Sequence, residues 1–171
     1  ELTSTEPCRP CDVNRNGISI GEGAAYALLE RSCDSPEPHA VWLLGAGESS
    51  DAYHMSSPHP DGLGAQMAMQ AALRSASLPA DAIDYINLHG TATPANDAAE
   101  GLAVAALFGR GAPCSSIKGA TGHTLGAAGA VEAVLCAIAL VDGLTPGSPG
   151  TRALDPALSQ TAMRFHGRLA V

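Results

Sequence analysis

The sequence predicts an α/β fold. Short apolar, strand-like runs alternate with stretches that carry apolar residues at helical spacing, and turn residues separate them. The chain has 171 residues, which suits one domain. Hydrophobic residues make up 46% but aromatics only 4%, so small side chains must let the elements pack closely. Seventeen acids against nine bases give a formal charge of −8, which argues against a general nucleic-acid binder. The longest apolar stretch, 133–141, is too short for a bilayer, so no membrane span is expected. Five cysteines favour a reduced, cytoplasmic setting over a disulfide scaffold.

Residues 1–12 hold two Pro and two Cys and read as an irregular connection. From Gly17, Ile18 and Ile20 predict a strand, Gly21-Glu22-Gly23 a tight crossing, and 24–30 a second strand. A Pro- and acid-rich turn follows at 32–38, and the apolar run 40–46 (AVWLLGA) predicts a buried strand. Residues 49–64 form a loop broken by proline, and the spacing over 64–76 predicts a helix. A turn at 79–81 leads to a strand over 84–88 that ends in His89-Gly90-Thr91. Asp97, with Glu100 three residues on, resembles a capping box and predicts a helix from there to Phe108, stopped by Gly109. A strand is expected over 113–117 and a Gly- and Ala-rich helix within 122–141. The tail from Asp142 is Pro-rich and shows little periodicity before 163–166.

Three groups of residues could carry chemistry. His89, Thr91 and Thr93 share one loop at a strand end, where ligands collect in open α/β sheets. A structural histidine in a turn fits the same residues. Lys118 is the sole lysine among nine bases, which suggests a need for a compact ammonium there; a chance survivor on a loop fits as well. His123 is placed at a helix start, whose positive end would keep its imidazole neutral and suited to donate to a developing oxyanion. Gly126 and Gly129 each cost roughly 1 kcal/mol in a helix. They suggest a closely passing backbone, whether at a site or as an internal packing contact. No metal is expected: Cys8 and Cys11 have C-x-x-C spacing without a second ligand pair, and His54 and His59 lie in a Pro-broken loop.

Taken in order, four segments resemble the β-ketoacyl-acyl carrier protein synthases of the thiolase superfamily. They are Arg9-Pro10-Cys11-Asp12 to Gly23, the SSDAYH stretch beginning at Ser49 with Pro58 and Gly62, His89 to Thr93 with Asn96, Asp97 and Glu100, and Ser116 to Glu132. The resemblance implies the C-terminal half of a thiolase-like fold, a mixed sheet flanked by helices. It implies decarboxylative Claisen condensation of an acyl thioester with malonyl-acyl carrier protein, in fatty acid, polyketide or aryl-polyene synthesis. His89 and His123 match the family's two histidines, and Lys118 its buried lysine. Glu100 and Glu132 match acids near that lysine. Thr91 and Thr93 match hydroxyls that hold the pantetheine arm, and Asp51 and His54 lie on a loop at the pocket mouth. The substrate rides on carrier-protein phosphopantetheine, so no separate cofactor is implied. Acyl carrier protein and a second synthase chain, identical or related, are the implied partners.

The sequence also departs from the family. The half that carries the nucleophilic cysteine, and a terminal loop reading SFGFGG, have no counterpart in residues 1–171. The chain therefore reads as a single fragment, inactive alone in condensation. Cys114, in a predicted strand, is rejected as a substitute nucleophile. A Cys-less partner of chain-length-factor type, or a non-catalytic module that binds carrier protein, are the alternatives.

Overall fold

The computed structural model describes residues 2–31, 37–38, 40–158 and the backbone of 162–163. Three short parallel strands form its sheet in the order β1 (Ile86–Asn87), β2 (Pro113–Ser115) and β3 (Ala162–Met163). Ile86 pairs with Cys114, and Cys114 in turn with Met163. An isolated antiparallel bridge joins Asp12 to Leu154. Among the described residues four α-helices accompany the sheet: α1 (Leu63–Ala76), α2 (Pro94–Phe108), α3 (Lys118–Thr121) and α4 (Ala128–Asp142). The core is small. Cys11, Leu88, Val104, Cys114 and Leu158 are buried together, with Met69, Ile86 and Phe108 against them.

Helix α2 is capped four residues earlier than expected. Thr93 is its N-cap and Pro94 opens its first turn, where a missing N–H costs nothing. Asp97 is thus inside the helix and does not cap it. Its carboxylate accepts from the N–H groups of Cys11 at 2.7 Å and Ala92 at 3.2 Å, and the Arg15 guanidinium lies 3.6 Å away. Arg15 also donates to Asp155 at 2.6 Å and to the Asp12 carbonyl. Asp12 accepts from Arg152 and Ala153 N–H groups. This buried network ties residues 9–15 to both α2 and the tail, contacts too distant in sequence for local pattern to reveal.

The expected strands over 24–30 and 40–46 form no ladder among the described residues. Leu43 and Leu44 are 72% and 60% exposed, and Tyr26 is 93% exposed. A run that is apolar on both faces signals a covered strand, but no layer of the described chain lies over these segments. Only the Gly45–Gly47 end is packed; an added Cβ at Gly45 would overlap the backbone of α1 at Ala76. Around Ile18 and Ile20 only single bridges occur, Thr3 to Ile18 and Ile20 to His123. The stretch 163–166 lies, past Met163, outside the described residues.

The helix expected within 122–141 is present as α4, which starts after a 3-10 turn. Helix α3 ends at Thr121, a 3-10 turn spans Leu125–Ala127, and α4 follows. Gly126 and Gly129 face open space: nothing described lies within 4 Å of a Cβ added to either, so neither expected close contact is present. Leu125–Asp142 is long and apolar enough to cross a membrane by length and composition, with a mean hydropathy of 1.9 over 18 residues. It is longer than the expected apolar stretch because Ala and Gly extend the run, with Glu132 inside it and Asp142 at its end.

Candidate active site

The site gathers where the loop after β1, the α3 turn and α4 meet. His89 follows the strand on a loop clamped by Glu100 of α2. The Glu100 carboxylate accepts from the His89 N–H at 2.7 Å and the Gly90 N–H at 2.8 Å. Burial pushes this carboxyl up to about 7, against the pull of those two backbone bonds.

His123 is held by residues 19–21. Its N–H donates to the Ser19 carbonyl at 2.8 Å, and its carbonyl accepts from Gly21 N–H at 3.1 Å. The tight glycine crossing expected at residues 21–23 is explained here. A Cβ on Gly21 would strike the Thr121 carbonyl, and one on Gly122, at φ 66°, would lie 2.8 Å from Gly21 Cα. His123 is not at the start of α4, since the 3-10 turn intervenes. Desolvation, then the Lys118 charge, depresses its pKa, and Glu132 opposes them. The helix dipole is not needed.

The rings of His89 and His123 meet edge to face, with centroids 5.1 Å apart at 84°. Lys118 is 1% exposed and pairs with Glu132, and its Nζ lies 3.4 Å from His89 Nδ1. An ammonium can only donate, so Nδ1 of His89 accepts and the proton of the neutral ring sits on Nε2. The Leu125 N–H donates to His123 Nδ1 at 3.1 Å, which fixes the same tautomer there. Two adjacent imidazoles thus each keep an Nε2–H to donate elsewhere. Desolvation, then Lys118 and His123, pushes the His89 pKa down to about 4.

The remaining candidates fall around this centre. Asp51, Gly62 and Asn96 line a cleft of about 180 Å³ with His89 and Glu100. Asp51 accepts from the Tyr53 and His59 N–H groups and so shapes its own loop. His54 stands apart: exposed, it bonds only locally, its Nδ1 accepting from Ser56 N–H at 3.2 Å. Thr91 and Thr93 are buried, and their hydroxyls lie 2.8 Å from each other. Cys114 is fully buried in β2. Among the described residues no group of His, Cys, Asp and Glu is arranged to hold a metal.

The profile of the family described as "Beta-ketoacyl synthase, C-terminal domain" matches residues 40–152. The chain belongs to the β-ketoacyl synthase family. It is 41% identical over 166 residues to the mitochondrial 3-oxoacyl-[acyl-carrier-protein] synthase of Arabidopsis thaliana, covering 92% of this chain and 36% of that protein. A ketosynthase solved in complex with its chain length factor from Xenorhabdus doucetiae is 41% identical, with a TM-score of 0.84 over 98% of this chain and 41% of that one. A type II polyketide ketosynthase solved with its acyl-carrier protein is 26% identical, with a TM-score of 0.80 over 94% of this chain and 41% of that chain. This β-ketoacyl synthase chain therefore has the thiolase-like fold, and it spans little more than a third of the length of these relatives.

The sequence did not single out Arg15, Asp155, Ser116 or Ser148 as residues that hold the site. Ser116 had a local signal, a serine two residues before the lone lysine, but its partner Gly90 is distant in sequence.

Proposed function

We propose that this chain supplies the histidine, histidine and lysine part of a decarboxylating condensing enzyme, acting on malonyl-acyl carrier protein and an acyl thioester. The carrying observation is the pair of edge-to-face imidazoles, each with Nδ1 occupied and Nε2–H free. When malonyl loses carbon dioxide, the electron pair of the broken C–C bond moves toward the thioester oxygen, making an enolate. Donors already aimed at that oxygen stabilise the charge as it develops. The enolate carbon then attacks an acyl group held on a cysteine, and the cysteine thiolate leaves. In this reading the cysteine lies outside residues 1–171, in the part of the relatives this chain does not span, and the chain alone does not condense.

Lys118 acts by fixing the His89 tautomer, while Glu132 offsets its charge. Glu100 holds the His89 loop. Thr91 and Thr93 face the pantetheine arm, and Asp51 and His54 belong to the loop at the cleft mouth. The partners are acyl carrier protein and a second synthase chain, as in the solved complexes of the relatives. Retention of both histidines favours a catalytic chain over a chain-length-factor role.

The test is malonyl decarboxylation by the complete synthase. His89→Ala and His123→Ala should each abolish carbon dioxide release while acyl transfer to the cysteine stays measurable. Normal decarboxylation with lost acyl transfer would reverse the roles.

A further inference from the structure

Between the His89 loop and the Lys118 turn stands one fully buried hydroxyl, that of Ser116. It donates to the Gly90 carbonyl at 3.1 Å and accepts from the Lys118 N–H at 3.4 Å. Its own N–H donates to the Ser148 hydroxyl at 3.2 Å, and Ser148 is itself buried in the tail. Gly90 is held from both sides, its N–H by Glu100 and its carbonyl by Ser116. Its φ of 43° and the 2.5 Å from an added Cβ to Ser116 Cβ leave no room for a side chain, so serine and glycine are fitted to each other.

We infer that Ser116 is a positioning residue: its hydroxyl sets the distance between His89 and Lys118, and through it the Nε2–H tautomer of His89. This rests on the proposed function only for its catalytic consequence. The geometric argument needs just the two loops. Without the hydroxyl the Gly90 carbonyl loses a donor and the Lys118 N–H an acceptor, both in a buried place. The α3 turn is then free to shift relative to the β1 loop, and the 3.4 Å contact from Nζ to Nδ1 opens. The charged and titratable groups around His89 are Lys118, His123 and Glu100, with Glu132 behind Lys118. Of these, Lys118 is the one whose position depends on Ser116.

The experiment is nitrogen NMR of 15N-histidine-labelled complete protein, comparing the parent with Ser116→Ala. Ring nitrogen shifts report tautomer and titration directly. The parent His89 should be the Nε2–H form with a depressed pKa. Ser116→Ala should show a mixture of tautomers and a pKa raised by about one unit, since a cation has moved away. Ser148→Ala, which leaves the hydroxyl in place, should shift the same signals less, and it carries the test should Ser116→Ala fail to fold. A lower melting temperature with the His89 tautomer and titration unchanged in both variants would overturn the assignment, leaving Ser116 merely structural. In the same samples the decarboxylation kcat should fall about tenfold in Ser116→Ala with KM unchanged. If the parent does not decarboxylate but the His89 signals move as stated, the proposed function falls and the role of Ser116 stands.

Discussion

His89, His123 and Lys118 come from separate loops, and each is placed chiefly by backbone groups. Glu100 takes two N–H groups of the His89 loop, and Ser19 and Gly21 take the two backbone groups of His123. Lys118 needs its burial beside Glu132. Glu100 has a consequence for stability. Its folded pKa of about 7 lies above the ordinary value of 4.5, so between these pH values the folded chain binds the proton more tightly than the unfolded one. Its contribution is therefore fully present below pH 4.5 and lost as pH rises through 7, by roughly 3 kcal/mol. His89 works the other way. Its depressed pKa makes its contribution fullest above pH 6.5 and lost as pH falls toward 4. Glu100→Gln should accordingly remove the loss on the neutral side, making the urea midpoint rise more steeply from pH 5 to pH 7.5 than in the parent. Parallel profiles would show that Glu100 titrates normally.

At the scale of elements, the legible parts were those that close on themselves. Helix α1 agrees with its apolar spacing to within one residue, and β1 and β2 lie inside the predicted strands. Helix α2 ends where Gly109 stops it, but it begins at Pro94, because Thr93 rather than Asp97 occupies the cap. Asp97 looked like a cap because a short acid before an apolar run has that pattern. Its carboxylate is instead taken by Cys11 and Ala92 N–H groups, contacts made only in the folded chain. Asp97→Ala should cost about 1–3 kcal/mol in chemical denaturation, since it leaves the buried Cys11 and Ala92 N–H groups without an acceptor and Arg15 with Asp155 alone. A loss below 1 kcal/mol would show that Asp155 alone holds Arg15. Gly21→Ala should unseat the 19–21 segment from His123 and destabilise by more than the usual helix or strand penalty, because its Cβ would meet backbone. The expected strands over 24–30 and 40–46 were misplaced for a related reason: hydrophobic pattern records that a segment is to be covered, not what covers it.

The whole molecule carries more apolar surface than its core explains. Leu28, Leu29, Leu43, Leu44, Ile138 and Leu140 are each more than half exposed, while the buried cluster is small. A chain that spans 36–41% of its relatives leaves ample length to cover these faces. Residues 1–171 prepared alone should bind a hydrophobic dye and sediment as concentration-dependent oligomers, whereas the complete protein should do neither. A dark, monomeric sample of the isolated chain would mean that these faces are covered within it. By itself, the sequence determined the α/β class, the synthase family and the residues offered for catalysis, because these reside in local spacing and in motifs read along the chain. Only the tertiary structure decided the tautomers of the two histidines, the job of Asp97 and the clamp on Gly90. Each depends on a hydrogen bond between residues far apart in the chain, and such a bond exists only once the backbone has brought donor and acceptor within about 3 Å.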